Sequence, residues 1–142
     1  MNFYNLFDAN FTYTLNEYGI VTASHKFLPR EVTWVLQRKR FPHGPTIFTD
    51  RYISRNNIDF IRSVETPFKV AWLVEPKSIH PWPYEEVKHM LDEFDLVLSH
   101  HEEIISLGDN VRWVPGCGTW IDPLEWGLYP KTKKICMIAS SK

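Results

Sequence analysis

Four ionisable side chains stand where an apolar, β-branched run stops. Asp50 follows Thr46-Ile47-Phe48-Thr49, Glu75 follows Phe68–Val74, and His100 and His101 follow Asp95-Leu96-Val97-Leu98-Ser99. If these runs are strands of one parallel sheet, the four meet at its carboxyl edge, where open α/β sheets bind ligands. Glu75 is the sharpest candidate, because it leaves a wholly apolar run straight into Pro76. A carboxylate so placed is partly desolvated and suited to accept a proton near neutral pH. Its competing role is to cap a helix or brace a loop. Asp50 either caps the turn after its strand or meets a substrate hydroxyl. His100 and His101 belong to a run with Glu102 and Glu103. Neighbours at a strand-to-helix junction point in different directions, and the spacing fits no strong metal motif, so no metal site is expected.

Tryptophan adds a second signal. Trp82, Trp120 and Trp126 lie beside proline or glycine in expected loops. Exposed indoles suit the C–H faces of sugars. Ordinary core packing competes with that reading, and it is the role expected of Trp72 and Trp113. Gly116-Cys117-Gly118 lacks the third glycine of a dinucleotide fingerprint, no phosphate loop or G-x-S-x-G elbow occurs, and Cys117 has no identifiable base.

The elements that must position these residues follow from periodicity. Phe68–Val74 reads as a strand covered on both faces, with Asp95–Ser99 and Val111–Val114 as further strands. Ile58–Val64 reads as a short helix. Pro83–Phe94 reads as a longer one, with Val87, Met90, Leu91 and Phe94 on one stripe. Glu102–Leu107 reads as a helix closed by Gly108. Thr12–Ser24 accommodates two short strands, Val32–Leu36 is read as a strand, and Ile135–Ala139 is a last apolar run. Strands alternating with helices imply βαβ units and an α/β, Rossmann-like three-layer domain with a mostly parallel sheet.

Composition bounds the function. The 142 residues suit one domain, and 44% hydrophobic with 15% aromatic content exceeds that of a disordered chain. Sixteen Lys+Arg against seventeen Asp+Glu leave no basic field, so nucleic acid is not an expected partner; Arg38-Lys39-Arg40 reads as a solvated loop. Two cysteines make no disulfide framework. No segment is long and apolar enough to span a bilayer, and residues 1–5 do not read as a signal peptide, so a cytoplasmic location is expected.

The order of motifs carries a resemblance. Thr46–Asp50, Lys69-Val70-Ala71-Trp72-Leu73-Val74-Glu75-Pro76, Phe94–His100, Trp113-Val114-Pro115-Gly116-Cys117-Gly118-Thr119-Trp120-Ile121 and Lys131–Lys142 together resemble the fucosyltransferase-like glycosyltransferases over residues 46–142. That family implies a GT-B fold of two Rossmann-like domains facing a cleft. Its N-terminal domain holds the acceptor and a strand-terminal glutamate base, whose place Glu75 takes. Its C-terminal domain binds a sugar nucleotide, typically GDP-fucose. On this resemblance residues 1–130 form the acceptor-side domain, and 131–142 are the linker and first strand of a donor domain whose contacts lie beyond Lys142. The chain departs from the family in the Pro76-Lys77 context after the base.

The expected reaction is therefore transfer of a sugar with inversion to a glycan acceptor hydroxyl. Glu75 serves as base, and Asp50, His100, His101 and Trp120 are substrate contacts. No cofactor is expected besides the donor, held mainly by the other domain, and these residues alone are expected not to turn over. A surface left for that domain implies self-association into a dimer. The alternative is a stand-alone glycan- or protein-binding module. A third reading, a response-regulator-like doubly wound fold, requires an acidic cluster at early strand ends, of which Asp50 alone is clear.

Overall fold

A computed structural model of the chain describes residues 2–9, 13–23, 32–116 and 130. The strands are β1 (Phe3–Phe7), β2 (Thr14–Leu15), β3 (Val21–Ala23), β4 (Thr33–Leu36), β5 (Thr46–Thr49), β6 (Lys69–Trp72), β7 (Leu96–Ser99) and β8 (Val111–Trp113). The α-helices are α1 (Ile58–Ser63), α2 (Trp82–Val87) and α3 (Glu102–Ile105). Six strands form one sheet in the order β4-β1-β5-β6-β7-β8, every adjacent pair parallel. The domain is thus α/β and Rossmann-like. The remaining two strands pair as an antiparallel hairpin, as Thr12–Ser24 suggests.

The two faces of the sheet carry separate cores. On one, Phe7, Phe48, Ala71, Leu73 and Val97 meet Ile61 of α1, Tyr84 and Val87 of α2, and Ile104 of α3. Phe7 stacks on Phe48 with ring centroids 5.1 Å apart. On the other, Leu6, Trp34, Leu36, Ile47 and Val70 pack with Tyr13 and Val21 of the hairpin region. The described helices therefore all lie on one face, as successive right-handed β-α-β crossovers running in one direction along a sheet require.

Sequence periodicity misses β1, which turns out to be an interior strand. Phe3-Tyr4-Asn5-Leu6-Phe7 is interrupted by a buried polar residue, Asn5, so it does not read as an apolar run. Asn5 is explained by what crosses it. After β4 the chain reverses at Gln37, whose φ of 54° is left-handed, and residues 37–45 return over β1 without a helix. The Asn5 side chain acts as a peptide mimic for this crossover. Its Nδ2 donates to the Arg38 carbonyl at 2.6 Å, and its Oδ1 accepts from the Arg38 amide at 3.1 Å. Burying the carboxamide is tolerated because both its donor and its acceptor are used.

Other elements are shorter than their patterns. Strand β6 stops at Trp72, and Phe68 is 39% exposed. The Pro83–Phe94 stripe is one face but not one helix. Helix α2 closes through His89 N–H to Glu86 O and Met90 N–H to Val87 O, and a 3-10 turn at Leu91–Glu93 follows. Val87, Met90 and Phe94 are buried all the same, because the break redirects the chain toward α1, where Arg62 meets Glu93. Gly108 follows α3 without a left-handed φ. Trp113, expected in the core, is 62% exposed on the edge strand β8, and Trp72 is half-buried. Residues 131–142, with the Ile135–Ala139 run, lie outside the described residues.

Where the crossover passes Phe3, contact is at backbone distance. A Cβ at Gly44 would sit 1.8 Å from the Phe3 carbonyl oxygen. Gly44→Ala is expected to cost about 3 kcal/mol or more in urea denaturation. Gly108→Ala, whose Cβ would come no nearer than 3.1 Å to Asn110 Oδ1, is expected to cost about 1 kcal/mol at most.

Candidate functional site

Parallel strands deliver their last residues to one edge, and here that edge is acidic and aromatic. Asp8 follows β1, Asp50 follows β5, Glu75 follows β6, and His100 and His101 follow β7. The strand order turns between β1 and β5, where Asp8 and Asp50 flank Thr49. Thr49 Oγ1 donates to Asp8 Oδ1 at 2.6 Å, and the Tyr13 hydroxyl donates to Asp8 Oδ2 at 2.5 Å. Burial, then the hydrogen bond to Asp8 and its charge, push the Tyr13 phenol up. Asp8 went unread in the sequence because its strand did. With Asp50 it supplies the early acid pair that a response-regulator-like fold requires, but both carboxylates are engaged in hydrogen bonds within the domain.

Asp50 is fully buried. Its Oδ1 accepts the Val74 amide at 2.9 Å and its Oδ2 the Glu75 amide at 3.2 Å. Hydrogen bonds from two consecutive amides hold the backbone at the point where it leaves β6. The Asp50 carboxylate thus braces the residue beside it in the candidate site.

Glu75 is half-buried. Its amide is held by Asp50, and its carbonyl accepts the Tyr84 hydroxyl at 2.7 Å. Its carboxylate makes no hydrogen bond or ion pair among the described residues. Tyr84, fully buried in α2, also touches His100 Nε2 at 3.3 Å. Since the phenol proton goes to the Glu75 carbonyl, the phenol oxygen is left to accept from His100 Nε2–H. A proton on His100 Nε2 fits that contact. Tyr84 is pushed up to about 12, first by burial, then by the charges of Asp50 and Glu75. It stays protonated and acts as a fixed post.

The imidazoles are closely packed. Tyr84 meets His100 and His101 edge-on, with centroids at 6.1 and 5.6 Å. Gly116 lies against the His100 ring, where a Cβ would fall 2.5 Å from Cγ. Among the described residues, the buried Nδ1 atoms of His80, His100 and His101 have no hydrogen-bond partner. No group of three His, Cys, Asp or Glu among them is arranged to hold a metal ion.

Two further features frame the edge. Ser54, Arg55, Asn56, Trp82 and Glu86 line a concavity of about 510 Å³, with the Trp82 ring exposed beside polar groups. Lys77, Glu85, Lys88 and Glu103 form a closed ring of alternating charge that ties the loop after Glu75 to α2 and α3. Hydrogen bonds from Lys77 and Lys88 pull Glu103 down to about 2.

The structure thus brings Glu75 and His100 together through Tyr84, sets His101 edge-on against the same ring, and places Asp50 against the Glu75 amide. Trp120, with Trp126 and Cys117, lies outside the described residues. Among the described residues no helix is long and apolar enough to cross a membrane.

Asp50→Ala is expected to cost about 3 kcal/mol in chemical denaturation, because two amides at the end of β6 lose a charged acceptor. Glu103 has a folded pKa below its ordinary 4.5. Its stabilising contribution is therefore complete above 4.5 and disappears as pH falls through about 2. In a Lys77→Met/Lys88→Met variant, carbon-13 NMR titration should find the Glu103 carboxyl back in the usual glutamate range.

No protein-family model, no curated protein and no solved structure matches the chain.

Proposed function

We propose that this domain is the acceptor-side half of an inverting, fucosyltransferase-like glycosyltransferase. The observation that carries the proposal is the Glu75 carboxylate. It stands half-buried at the carboxyl edge of a parallel sheet, its backbone held at both ends, its oxygens committed to no partner among the described residues. A general base needs that combination of fixed position and vacant lone pairs.

Glu75 takes the proton of the acceptor hydroxyl as that oxygen attacks the anomeric carbon, and the sugar–phosphate bond breaks on the opposite side. The proton ends on Glu75 and the electron pair on the departing nucleoside diphosphate. Cations or helix N-termini must stabilise that diphosphate, and on this reading a second domain supplies them. The donor is a sugar nucleotide, GDP-fucose by the resemblance, and the residues described here hold the acceptor. His100 and His101 flank the reacting hydroxyl, with Asp50 acting through the backbone of Glu75. The concavity lined by Trp82, Ser54, Asn56 and the paired Arg55 and Glu86 is suited to the mixed apolar and hydroxyl faces of a saccharide. Exposed Phe68, Ile79 and Trp113 are candidates for contact with the second domain or a second copy.

The same concavity favours a second reading, a stand-alone glycan-binding module in which Glu75 does no chemistry. One experiment separates them. The chain is titrated with acceptor oligosaccharides by NMR and assayed for transfer from GDP-fucose when joined to a donor-binding domain. Shifts are expected at Val74–Lys77 and Ser99–Glu102. Glu75→Gln should leave saccharide binding within about twofold but lower transfer by about 10²–10⁴-fold. Equal transfer by Glu75→Gln and parent sinks the base assignment. Saccharide binding that leaves this edge unshifted sinks the site. The 142 residues alone are expected to turn over no donor.

A further inference from the structure

A second concavity, of about 390 Å³, lies away from Glu75, where the 37–45 crossover passes the beginning of β1. Phe3, Ile20, Val35 and Phe41 supply an apolar floor, with Tyr18 beside them, and Arg38, Arg40 and His43 stand on its rim. Among the described residues no carboxylate lines it. The volume lies within the range of small-ligand pockets.

The position of Arg38 is set in advance. Its Nη2 donates to the Tyr18 carbonyl at 3.1 Å, and its backbone is clamped by Asn5. Gly19, at φ 75°, both turns the hairpin and makes room, since a Cβ there would lie 2.7 Å from Nη2. The guanidinium has no acidic partner among the described residues, and its N–H groups other than the one on the Tyr18 carbonyl make no hydrogen bond there. Arg40 does pair with Glu65, at 2.9 Å, but the two side chains are 81% and 68% exposed, which leaves that pair weak and easily exchanged.

A guanidinium tethered through one N–H beside apolar side chains suits a two-part ligand. We infer that this concavity binds a small molecule made of a flat apolar ring carrying an anionic group. The ring lies on Val35, Phe3 and Phe41, and the carboxylate or phosphate engages Arg38 in a forked contact, with Arg40 adding charge. The site is independent of the glycosyl-transfer proposal and shares no residue with it.

The test uses the full 142-residue chain, titrated with adenosine 5′-monophosphate, 1-naphthoate, adenosine and inorganic phosphate, and read by amide NMR shifts and calorimetry. At least one of the two ring-bearing anions is expected to saturate, and the better of them identifies the anion as phosphate or carboxylate. Its shifts should cluster at Phe3, Tyr18–Ile20 and Val35–His43. Arg38→Met should weaken it about tenfold, while Arg112→Met, on the far edge strand, changes nothing. Saturation of neither anion below about 5 mM overturns the site. So does binding of adenosine or phosphate alone as tight as that of the combined ligand, or a shift map centred elsewhere. If Arg38→Met does not fold, the parent's shift map decides, with Arg38→Lys expected to bind more weakly than the parent.

Discussion

A buried carboxylate that accepts two consecutive amides holds the carboxyl edge of this sheet in place. Asp50 is fully buried and bonds the amides of Val74 and Glu75. Charge-assisted hydrogen bonds of this kind are the stronger ones, and their removal strands the donors they satisfied. The geometry downstream depends on them. Glu75 leaves the sheet at a set angle, its carbonyl meets the Tyr84 hydroxyl, and Tyr84 in turn orients His100. A loop after a strand is ordinarily the softest part of an α/β domain. Here it is held from below by Asp50, from the side by Tyr84, and beyond Pro76 by the Lys77–Glu85–Lys88–Glu103 ring.

The other half of the sheet solves a different problem. An interior parallel strand must be crossed when its neighbours on both sides follow it in the chain, and a crossover usually takes a helix to do it. Nine residues do it here, because the chain passes β1 at backbone distance. Gly44 permits that approach, and Asn5 replaces the hydrogen bonds that a strand or helix would have supplied. The tight passage also creates the cationic concavity, since it brings Arg38, Arg40, Phe41 and His43 over Phe3 and Val35.

The two regions share a logic. In each, a polar side chain that reads as an anomaly in an apolar strand or at its end is consumed by backbone partners: Asn5 by Arg38, Asp50 by Val74 and Glu75. Each thereby fixes the backbone of a neighbour whose charged group has no oppositely charged partner among the described residues, the Arg38 guanidinium in one case and the Glu75 carboxylate in the other. The residues with chemical potential are held by others that have none left to offer.

The sequence by itself determined the fold class. Apolar runs at Thr46, Lys69, Leu96 and Val111, separated by helical stripes, admit little besides a parallel α/β sheet, and strand-end placement alone singled out Asp50, Glu75, His100 and His101. It did not disclose β1, because Asn5 breaks the run whose centre it occupies, and Asp8 was lost with that strand. Nor did it disclose that the Val87–Phe94 stripe folds in two pieces, since periodicity reports a buried face and not the continuity of the backbone that presents it. The roles of the acids were likewise decided only in three dimensions. Asp50 and Glu75 are both carboxylates at strand ends. Burial against two amides commits one to holding the chain, while the other, half-buried beside Tyr84, has a carboxylate with no hydrogen-bond or ion-pair partner among the described residues. Spacing along a chain carries no record of which hydrogen bonds its neighbours will claim.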